Sequence, residues 1–242
     1  MGFNSQDVRE PIVVDLETYA LESAADYVPP PDLTTITAAK NLRDPVKVAE
    51  DVAKRQAEAL AGHTEKLGKA ALDFNLARIV ALGWWDTAKP DPCVVVCRDE
   101  DDEAIALTRF WAEAGHCPLV GFRIRTFDAP MLMARSRYLG IRYPVLDLGR
   151  YARGARIVDL WDTLTFGLSD FECTAVMPRK LKSYGVRYGV PVSDDEINGK
   201  DIGALVAAGD WDSVASHCAA DVRLTTALAR RVGVLQDVHA RV

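Results

Sequence analysis

Carboxylate and imidazole side chains occur in three short patterns whose spacing could support cation binding or proton transfer. In the first, Asp15 and Glu17 are separated by one residue at the end of the apolar run Pro11–Leu16. The two-residue period of a strand places both carboxylates on one face of a sheet. Because adjacent acids repel, this arrangement costs stability unless a cation lies between them. The pattern therefore predicts a cation site, and a strand end that reaches solvent is the structural alternative.

The other two patterns are an acid at the start of a helix and a His–Asp pair inside one. Asp128 follows Phe127 where a short loop leads into a helix, and an acid there also complements the helix dipole. His217 and Asp221 are four residues apart, so a helix places them on one face, one turn apart. A simple hydrogen bond between the two is the structural alternative, so these patterns are informative only in combination.

The elements that must position these residues alternate between strands and helices. Pro11–Leu16 is predicted as a buried strand, and the acid- and proline-rich segment 19–37 as an ordered surface loop. Asp44 and Pro45 predict the N-cap and first turn of an amphipathic helix that ends at Gly62. The later elements are a hairpin over 77–85 and 92–98, a helix over 99–114, a strand over 118–122, a helix over 127–139, a strand-like stretch over 157–164, and helices from 180 with a break around 190–199.

We therefore expect an α/β fold with a mixed β-sheet flanked by helices. The chain, 1–242, is predicted to form a single domain, with a loop and helix insertion over 19–75 after the first strand. A lid over the site and a helix that docks a partner are both open roles for this insertion.

Composition limits the class of protein. The chain of 242 residues has a formal net charge of −6, which argues against a protein that coats nucleic acid by bulk charge. Its apolar runs are far shorter than the roughly 20 residues of a membrane helix, and its polar N-terminus predicts no secretory signal, so we expect no membrane association. Five cysteines without a C-x-x-C pair favour reduced thiols and a cytoplasmic location.

The order of the three patterns resembles the DEDD-type 3′–5′ exonuclease superfamily, whose motifs lie on a ribonuclease H-like fold. The chain is most similar to exonucleases related to the proofreading domains of family B DNA polymerases. The resemblance is carried by VVDLET at 13–18, GFRIRTFDAPML at 121–132 and GDWDSVASHCAADVRLT at 209–225. It covers nearly the whole chain outside residues 19–75.

The resemblance implies that Asp15, Glu17, Asp128 and Asp221 hold two divalent cations. Oxygen ligands favour hard ions, so Mg²⁺ or Mn²⁺ is expected. Such a pair clamps the scissile phosphate between the attacking water and the leaving oxygen. His217 would orient or deprotonate that water, and an imidazole titrates nearer to neutral pH than a phenol does.

Two positions depart from the family pattern. One subgroup has Tyr four residues before the last Asp and the other has His five residues before it. His217 combines the first spacing with the second residue type, so the subgroup stays open. The second motif usually carries Asn five residues before its Asp, where this chain has Arg123, which changes the expected substrate contacts.

The candidate substrate contacts are Thr18, Arg123, Arg125 and Phe127. Thr18 could offer its amide or hydroxyl to the terminal nucleotide, and Phe127 is either a core residue or a base-stacking one. Between residues 121 and 156 eight arginines stand against two aspartates. Because Arg pairs well with phosphate oxygens, we expect a strand-binding surface here, with some arginines paired to the protein's own acids.

Five further residues have two interpretations. Asp159 and Asp162 either support the site or mark a strand end. The lysines either contact phosphates or belong to solvated surface, and the second is the simpler interpretation for Lys180, Lys182 and Lys200.

These observations predict a metal-dependent 3′–5′ exonuclease that acts on the 3′ end of single-stranded or frayed DNA. An exoribonuclease of the same superfamily is the alternative enzyme, because two-metal chemistry does not select deoxyribose and no 2′-hydroxyl contact is identifiable. A catalytically silent nucleic-acid-binding module is the alternative from another class.

Overall fold

The computed structural model describes residues 10–115, 117–149, 156–169, 171–174, 177–192 and 197–236. The strands are β1 (Ile12–Ala20), β2 (Ala77–Asp86), β3 (Cys93–Val96), β4 (Leu119–Gly121) and β5 (Ile157–Asp159). The α-helices are α1 (Ala24–Tyr27), α2 (Pro45–Ala70), α3 (Glu100–Ala114), α4 (Asp128–Tyr138), α5 (Leu160–Leu164), α6 (Leu181–Tyr188), α7 (Ile202–Ala208) and α8 (Trp211–Arg231). Short 3₁₀ turns cover Leu33–Thr35 and Gly199–Asp201.

The five strands form one mixed sheet in the order β3-β2-β1-β4-β5. β1 pairs in parallel with β4, Ile12 opposite Leu119, and β4 pairs in parallel with β5. β2 and β3 are antiparallel, with Ala81 opposite Val96 and Trp84 opposite Cys93. The predicted α/β class, mixed sheet and hairpin are thereby confirmed.

The first strand is longer than its apolar run predicts. β1 continues to Ala20, so Asp15 and Glu17 lie inside the strand and not at its end. The alternation explains the difference, because Leu16 and Thr18 on the opposite face are buried and hold the strand in the sheet. The alternative of a strand end that reaches solvent is therefore wrong for this acid pair.

The stretch 157–164 also differs from its strand-like prediction. Only β5 is a strand, and α5 follows it directly. The Asp159 side chain accepts a hydrogen bond from the Trp161 N–H at 2.9 Å, so it acts as the N-cap that turns the chain from strand into helix.

The core on one side of the sheet is formed by α8 and α6 with α5. Val13 of β1 and Val120 of β4 pack with Leu160, Val222 and Leu228. α8 packs on β3 and against Gly83 of β2, and its Cys218 thiol reaches the Asp15 carbonyl oxygen. The His217–Asp221 turn therefore lies beside the strand that carries Asp15 and Glu17.

The chain divides into two compact units, and Tyr19–Arg78 is one of them. Within it α2 begins as predicted, with the Asp44 side chain accepting the Val46 N–H at 3.0 Å. The predicted end at Gly62 is wrong, since α2 continues through it to Ala70. A single glycine costs a helix only about 1 kcal/mol, and the buried Ala70 lies beyond it. The preceding loop is ordered by side chains of α2, for example Gln56 donating to the Leu33 carbonyl at 3.1 Å.

No helix in the described ranges is both long enough and apolar enough to span a membrane.

Candidate metal centre

Three ligand-type side chains from β1 and α8 converge. Nε2 of His217 lies 3.6 Å from Oε1 of Glu17 and 3.9 Å from Oδ2 of Asp221. One ligand atom from each of these residues lies within 4.8 Å of the other two, close enough to hold one metal ion. His217 is 3% exposed and Glu17 is 9% exposed. The four-residue spacing on α8 therefore places an imidazole and a carboxylate beside the second acid of β1.

Close packing holds α8 against the sheet at this point. A Cβ added to Gly83 of β2 would lie 2.8 Å from the Cys218 sulfur and 2.9 Å from a Val222 methyl. The Cys218 thiol donates to the Asp15 carbonyl oxygen at 3.7 Å. A side chain at position 83 would force Cys218 and Val222 of α8 to shift away from β2.

The carboxyl of Asp15 is influenced by the three other predicted acids. Burial raises the pKa of its carboxyl well above the usual range, and the charges of Asp221, Asp128 and Glu17 raise the pKa further, in that order. The pKa of the neighbouring Cys218 thiol is also raised, first by burial and then by the charges of the same four carboxylates. The four predicted acids, distant in the chain, are thus brought into one electrostatic cluster.

Asp128 joins this cluster from the first turn of α4. Its carboxylate is 4% exposed and accepts hydrogen bonds from its own backbone N–H and from that of Leu16, between the two acids of β1. Those hydrogen bonds lower the pKa, but burial outweighs them and, with the charge of Asp159, raises the pKa to about 7. Asp128 therefore belongs to the acid cluster, in addition to complementing the dipole of α4.

Asp159 supports the turn that carries Asp128. Its carboxylate accepts the backbone N–H of Arg123 at 2.9 Å and that of Arg125 at 3.1 Å. Arg123 has a positive φ of 59°, a conformation that disfavours non-glycine residues, and the Asp159 hydrogen bonds hold it there. Asp159 is the last residue of β5, as the strand-end interpretation predicts, and its contacts also fit a supporting role beside Asp128. No spacing rule in the sequence identifies the two backbone donors.

The predicted substrate contacts differ in how they are placed. The Arg123 guanidinium stacks over Trp161, 3.8 Å from the ring centroid. Arg125 is directed inward, donating to Asp162 at 3.1 Å and to the carbonyl oxygens of Leu148 and Gly149 at 3.2 and 2.8 Å. Phe127 is half-buried and Thr18 is buried within β1.

Much of the arginine-rich stretch serves the fold. Arg135 is 3% exposed and forms a two-pronged ion pair with the fully buried Glu103. Arg156 donates to the carbonyl oxygens of Gly115 and Cys117. Arg150 and Arg153 lie outside the described residues. As predicted, some of these arginines pair with the protein's own acids, namely Arg125 with Asp162 and Arg135 with Glu103. The candidate strand-binding surface is limited to the arginines that are not engaged in this way.

The donor set of the cluster suits a divalent cation. Carboxylate oxygens are ligands that Mg²⁺ and Mn²⁺ prefer, whereas an imidazole nitrogen is preferred by softer divalent ions such as Zn²⁺. The pKa of Asp15 and that of Asp128 are raised by burial and by other carboxylates, so bound positive charge would relieve both. Glu17, His217 and Asp221 form the tightest part of the cluster, with Asp15 and Asp128 adjoining it.

Comparison with models of known protein families finds no family that matches this chain, and comparison with curated proteins finds no similar sequence.

Proposed function

We propose that this protein is a metal-dependent 3′–5′ exonuclease of the DEDD type with a ribonuclease H-like fold. The observation that carries the proposal is the electrostatic cluster of Asp15, Glu17, Asp128 and Asp221, drawn from three distant segments. These are the residues, in the order along the chain, that the sequence resemblance assigns to the metal site. The mixed five-stranded sheet flanked by helices agrees with that fold.

The four carboxylates would hold two divalent cations, Mg²⁺ or Mn²⁺. When bound, such ions supply Lewis-acid stabilisation of the charge that develops during phosphodiester hydrolysis. The protein's own part is to bring the acids together in a site with little water. β1 presents Asp15 and Glu17 on one face, and the Leu16 N–H holds the Asp128 carboxylate beside them.

His217 would hold or accept a proton at Nε2, the atom that faces Glu17 and Asp221. A neutral imidazole at this position orients water by hydrogen bonding and accepts its proton as hydrolysis proceeds. Nε2 is also close enough to the acids to bind a metal directly, and the two roles differ in their effect on metal affinity.

The proposed substrate is the 3′ end of single-stranded or frayed DNA, with RNA as the alternative. Arg123, which stacks on Trp161, is proposed to contact a phosphate or a base of the substrate. Thr18 and Phe127 are further proposed substrate contacts. Arg125 is proposed as a positioning residue, because its guanidinium binds Asp162 and two carbonyl groups.

We also propose a cytoplasmic location, since Cys93, Cys97, Cys117, Cys173 and Cys218 are all free thiols, as is usual in a reducing compartment.

Activity is tested with 5′-labelled single-stranded DNA and, separately, RNA in Mg²⁺, Mn²⁺ or EDTA. We expect a metal-dependent ladder that shortens from the 3′ end and is abolished in Asp15→Asn and Asp221→Asn. Asp212→Asn is the matched control, since Asp212 is an exposed acid in the first turn of the same helix. A ladder on RNA alone would assign an exoribonuclease. Tight binding without cleavage would assign a silent binding module, and internal cuts would exclude exonuclease action.

The role of His217 is tested with His217→Ala. We expect turnover to fall about 10²–10⁴-fold, as for loss of a general base, while Mn²⁺ affinity measured by calorimetry is kept. A large loss of Mn²⁺ affinity would make His217 a metal ligand, and near wild-type turnover would exclude both roles.

A further inference from the structure

A cleft of about 460 Å³ opens beside the acids of the candidate metal centre. His217 and Asp221 form part of its wall, so the cleft is continuous with the tightest part of the cluster. Lysines form another part of the wall, namely Lys180, Lys182 and Lys200. Sequence reasoning treated these lysines as separate surface residues, because they come from two elements that only the fold brings together.

The lysines belong to two segments of the cleft wall that a hydrogen bond joins. Lys180 and Lys182 belong to the N-cap and first turn of α6, and Lys200 belongs to the 3₁₀ turn Gly199–Asp201. Nζ of Lys182 donates to the Ile197 carbonyl oxygen at 3.2 Å, across the cleft. This hydrogen bond holds the two walls at a defined distance and leaves the other two lysines at the surface.

Lys180 and Lys200 are available to an external anion. Both are exposed, and within the described residues no acid lies within salt-bridge distance of either. The nearby Asp201 carboxylate accepts the backbone N–H of Asn198 at 2.9 Å and caps the 3₁₀ turn. That hydrogen bond and, less strongly, the charge of Lys200 lower the pKa of Asp201, so Asp201 faces Lys200 without forming a salt bridge to it.

The electrostatics of the cleft favour a polyanion. Among the described residues that line the cleft, three lysines stand against one acid, Asp221, and Asp201 lies next to Lys200. The formal net charge of the whole chain is −6. The N-terminal turn of α6 points its positive dipole end to the same place. A ligand with successive negative charges is the chemical complement of such a cleft.

We propose that this lysine cleft binds the backbone phosphates of the nucleic acid strand on the 5′ side of the bond that is cut. The inference rests on the proposed exonuclease function. An enzyme that removes the last nucleotide has every remaining phosphate of the strand on that side of the reacting one. The cleft begins at His217 and Asp221, where the terminal phosphodiester would lie. Beyond that point its lysines place positive charge along the path of the remaining strand.

Lysine ammonium groups bind phosphate as point charges and do not read bases. The contribution of the cleft is therefore independent of sequence, dependent on salt, and larger for longer strands. Each phosphate contact on a single strand changes the slope of log affinity against log salt concentration by about 0.7.

The test uses Lys180→Gln/Lys200→Gln with thymidine oligonucleotides of two, four and twelve residues. For the 12-mer we expect KM to rise about tenfold with a smaller change in kcat, and the salt slope to fall by about 1.4 for two lost contacts. The ratio of variant KM to wild-type KM should increase from the dinucleotide to the 12-mer.

Two further variants control for charge and for folding. Lys180→Arg/Lys200→Arg keeps the charge and should keep KM close to that of the wild type. Lys47→Gln/Lys54→Gln removes the same charge from exposed positions of α2 in the other unit and should leave KM unchanged. An equal KM and salt slope for the wild type and the Lys180/Lys200 variant would overturn the cleft proposal and leave the exonuclease proposal standing.

Failure of the exonuclease proposal would be recognised separately. If the wild type cleaves none of these substrates in Mg²⁺ or Mn²⁺, fluorescence anisotropy of a labelled 12-mer in EDTA still measures strand binding. Weaker binding by the Gln variant than by the wild type supports the cleft, and equal or absent binding overturns it.

Discussion

Replacement of Asp128 by Asn is expected to stabilise the metal-free protein at pH 8. The pKa of the Asp128 carboxyl is raised from 3.8 to about 7, first by burial and then by the charge of Asp159. In the unfolded chain this group keeps its ordinary pKa. Folding at pH 8 therefore transfers an ionised carboxylate to a place that favours the protonated form. A difference of about three pKa units, at about 1.4 kcal/mol each, corresponds to about 4 kcal/mol.

The direction with pH follows from the raised pKa. The folded state binds this proton more tightly than the unfolded state does. The stability from Asp128 is thus fully present below pH 3.8, decreases as the pH rises, and is lost above about 7. Asn stays neutral over this range, and its side-chain oxygen can still accept the Leu16 N–H. The gain from Asp128→Asn should therefore be small near pH 4 and reach its full value at pH 8.

Thermal unfolding in EDTA, followed by circular dichroism between pH 4 and pH 8, measures this difference. For a chain of this size about 4 kcal/mol corresponds to roughly 8–16 °C in Tm. Addition of Mn²⁺ should raise the Tm of the wild type more than that of the variant, because the variant lacks one charged ligand. Asp212→Asn, on an exposed position of α8, should show neither effect. If Asp128→Asn lowers Tm equally at both ends of the pH range, the reasoning from buried charge is refuted.

Three other substitutions probe the groups that position the site. Arg135→Ala leaves the Glu103 carboxylate buried without its guanidinium partner and should cost about 3–5 kcal/mol in urea unfolding; a loss below about 1 kcal/mol would show that water replaces the guanidinium. Gly83→Ala places a Cβ 2.8 Å from the Cys218 sulfur and 2.9 Å from a Val222 methyl and should cost about 1–3 kcal/mol, part of it recovered by adding Cys218→Ala. Additive effects in that double-mutant cycle would contradict the proposed close approach. Asp159→Asn weakens the hydrogen bonds that shape the turn before Asp128 and should lower kcat or Mn²⁺ affinity about 10–100-fold with little change in Tm; wild-type values of both would exclude a positioning role.

Local patterns predicted most of the elements of this chain. The hairpin, the helix over 99–114 and the N-cap at Asp44 follow from alternation, turn residues and capping chemistry, which act over a few residues. The stretch 157–164 was predicted as strand-like, but β5 passes directly into α5 there. Two element ends were also predicted wrongly, the end of β1 and the end of α2. In both, a signal that usually stops an element, an acid pair or Gly62, was outweighed by buried residues beyond it, such as Thr18 and Ala70.

The candidate site was predicted in part. Side-chain period and helical spacing paired Asp15 with Glu17 and His217 with Asp221, and the structure keeps both pairs. The inward orientation of the Arg125 side chain was not predicted. Its hydrogen-bond acceptors, Asp162 and the carbonyl groups of residues 148–149, lie more than 20 residues away along the chain.

By itself the sequence determined which side chains could do chemistry, and which of them share a strand face or a helix turn. Those relations depend only on the periods of local structure. The tertiary structure decided that Asp15, Glu17, Asp128 and Asp221 form one cluster, and that Lys180 and Lys200 line one cleft beside it. Burial and the mutual field of distant charges raise the pKa of a carboxyl, and neither exists until the chain is packed.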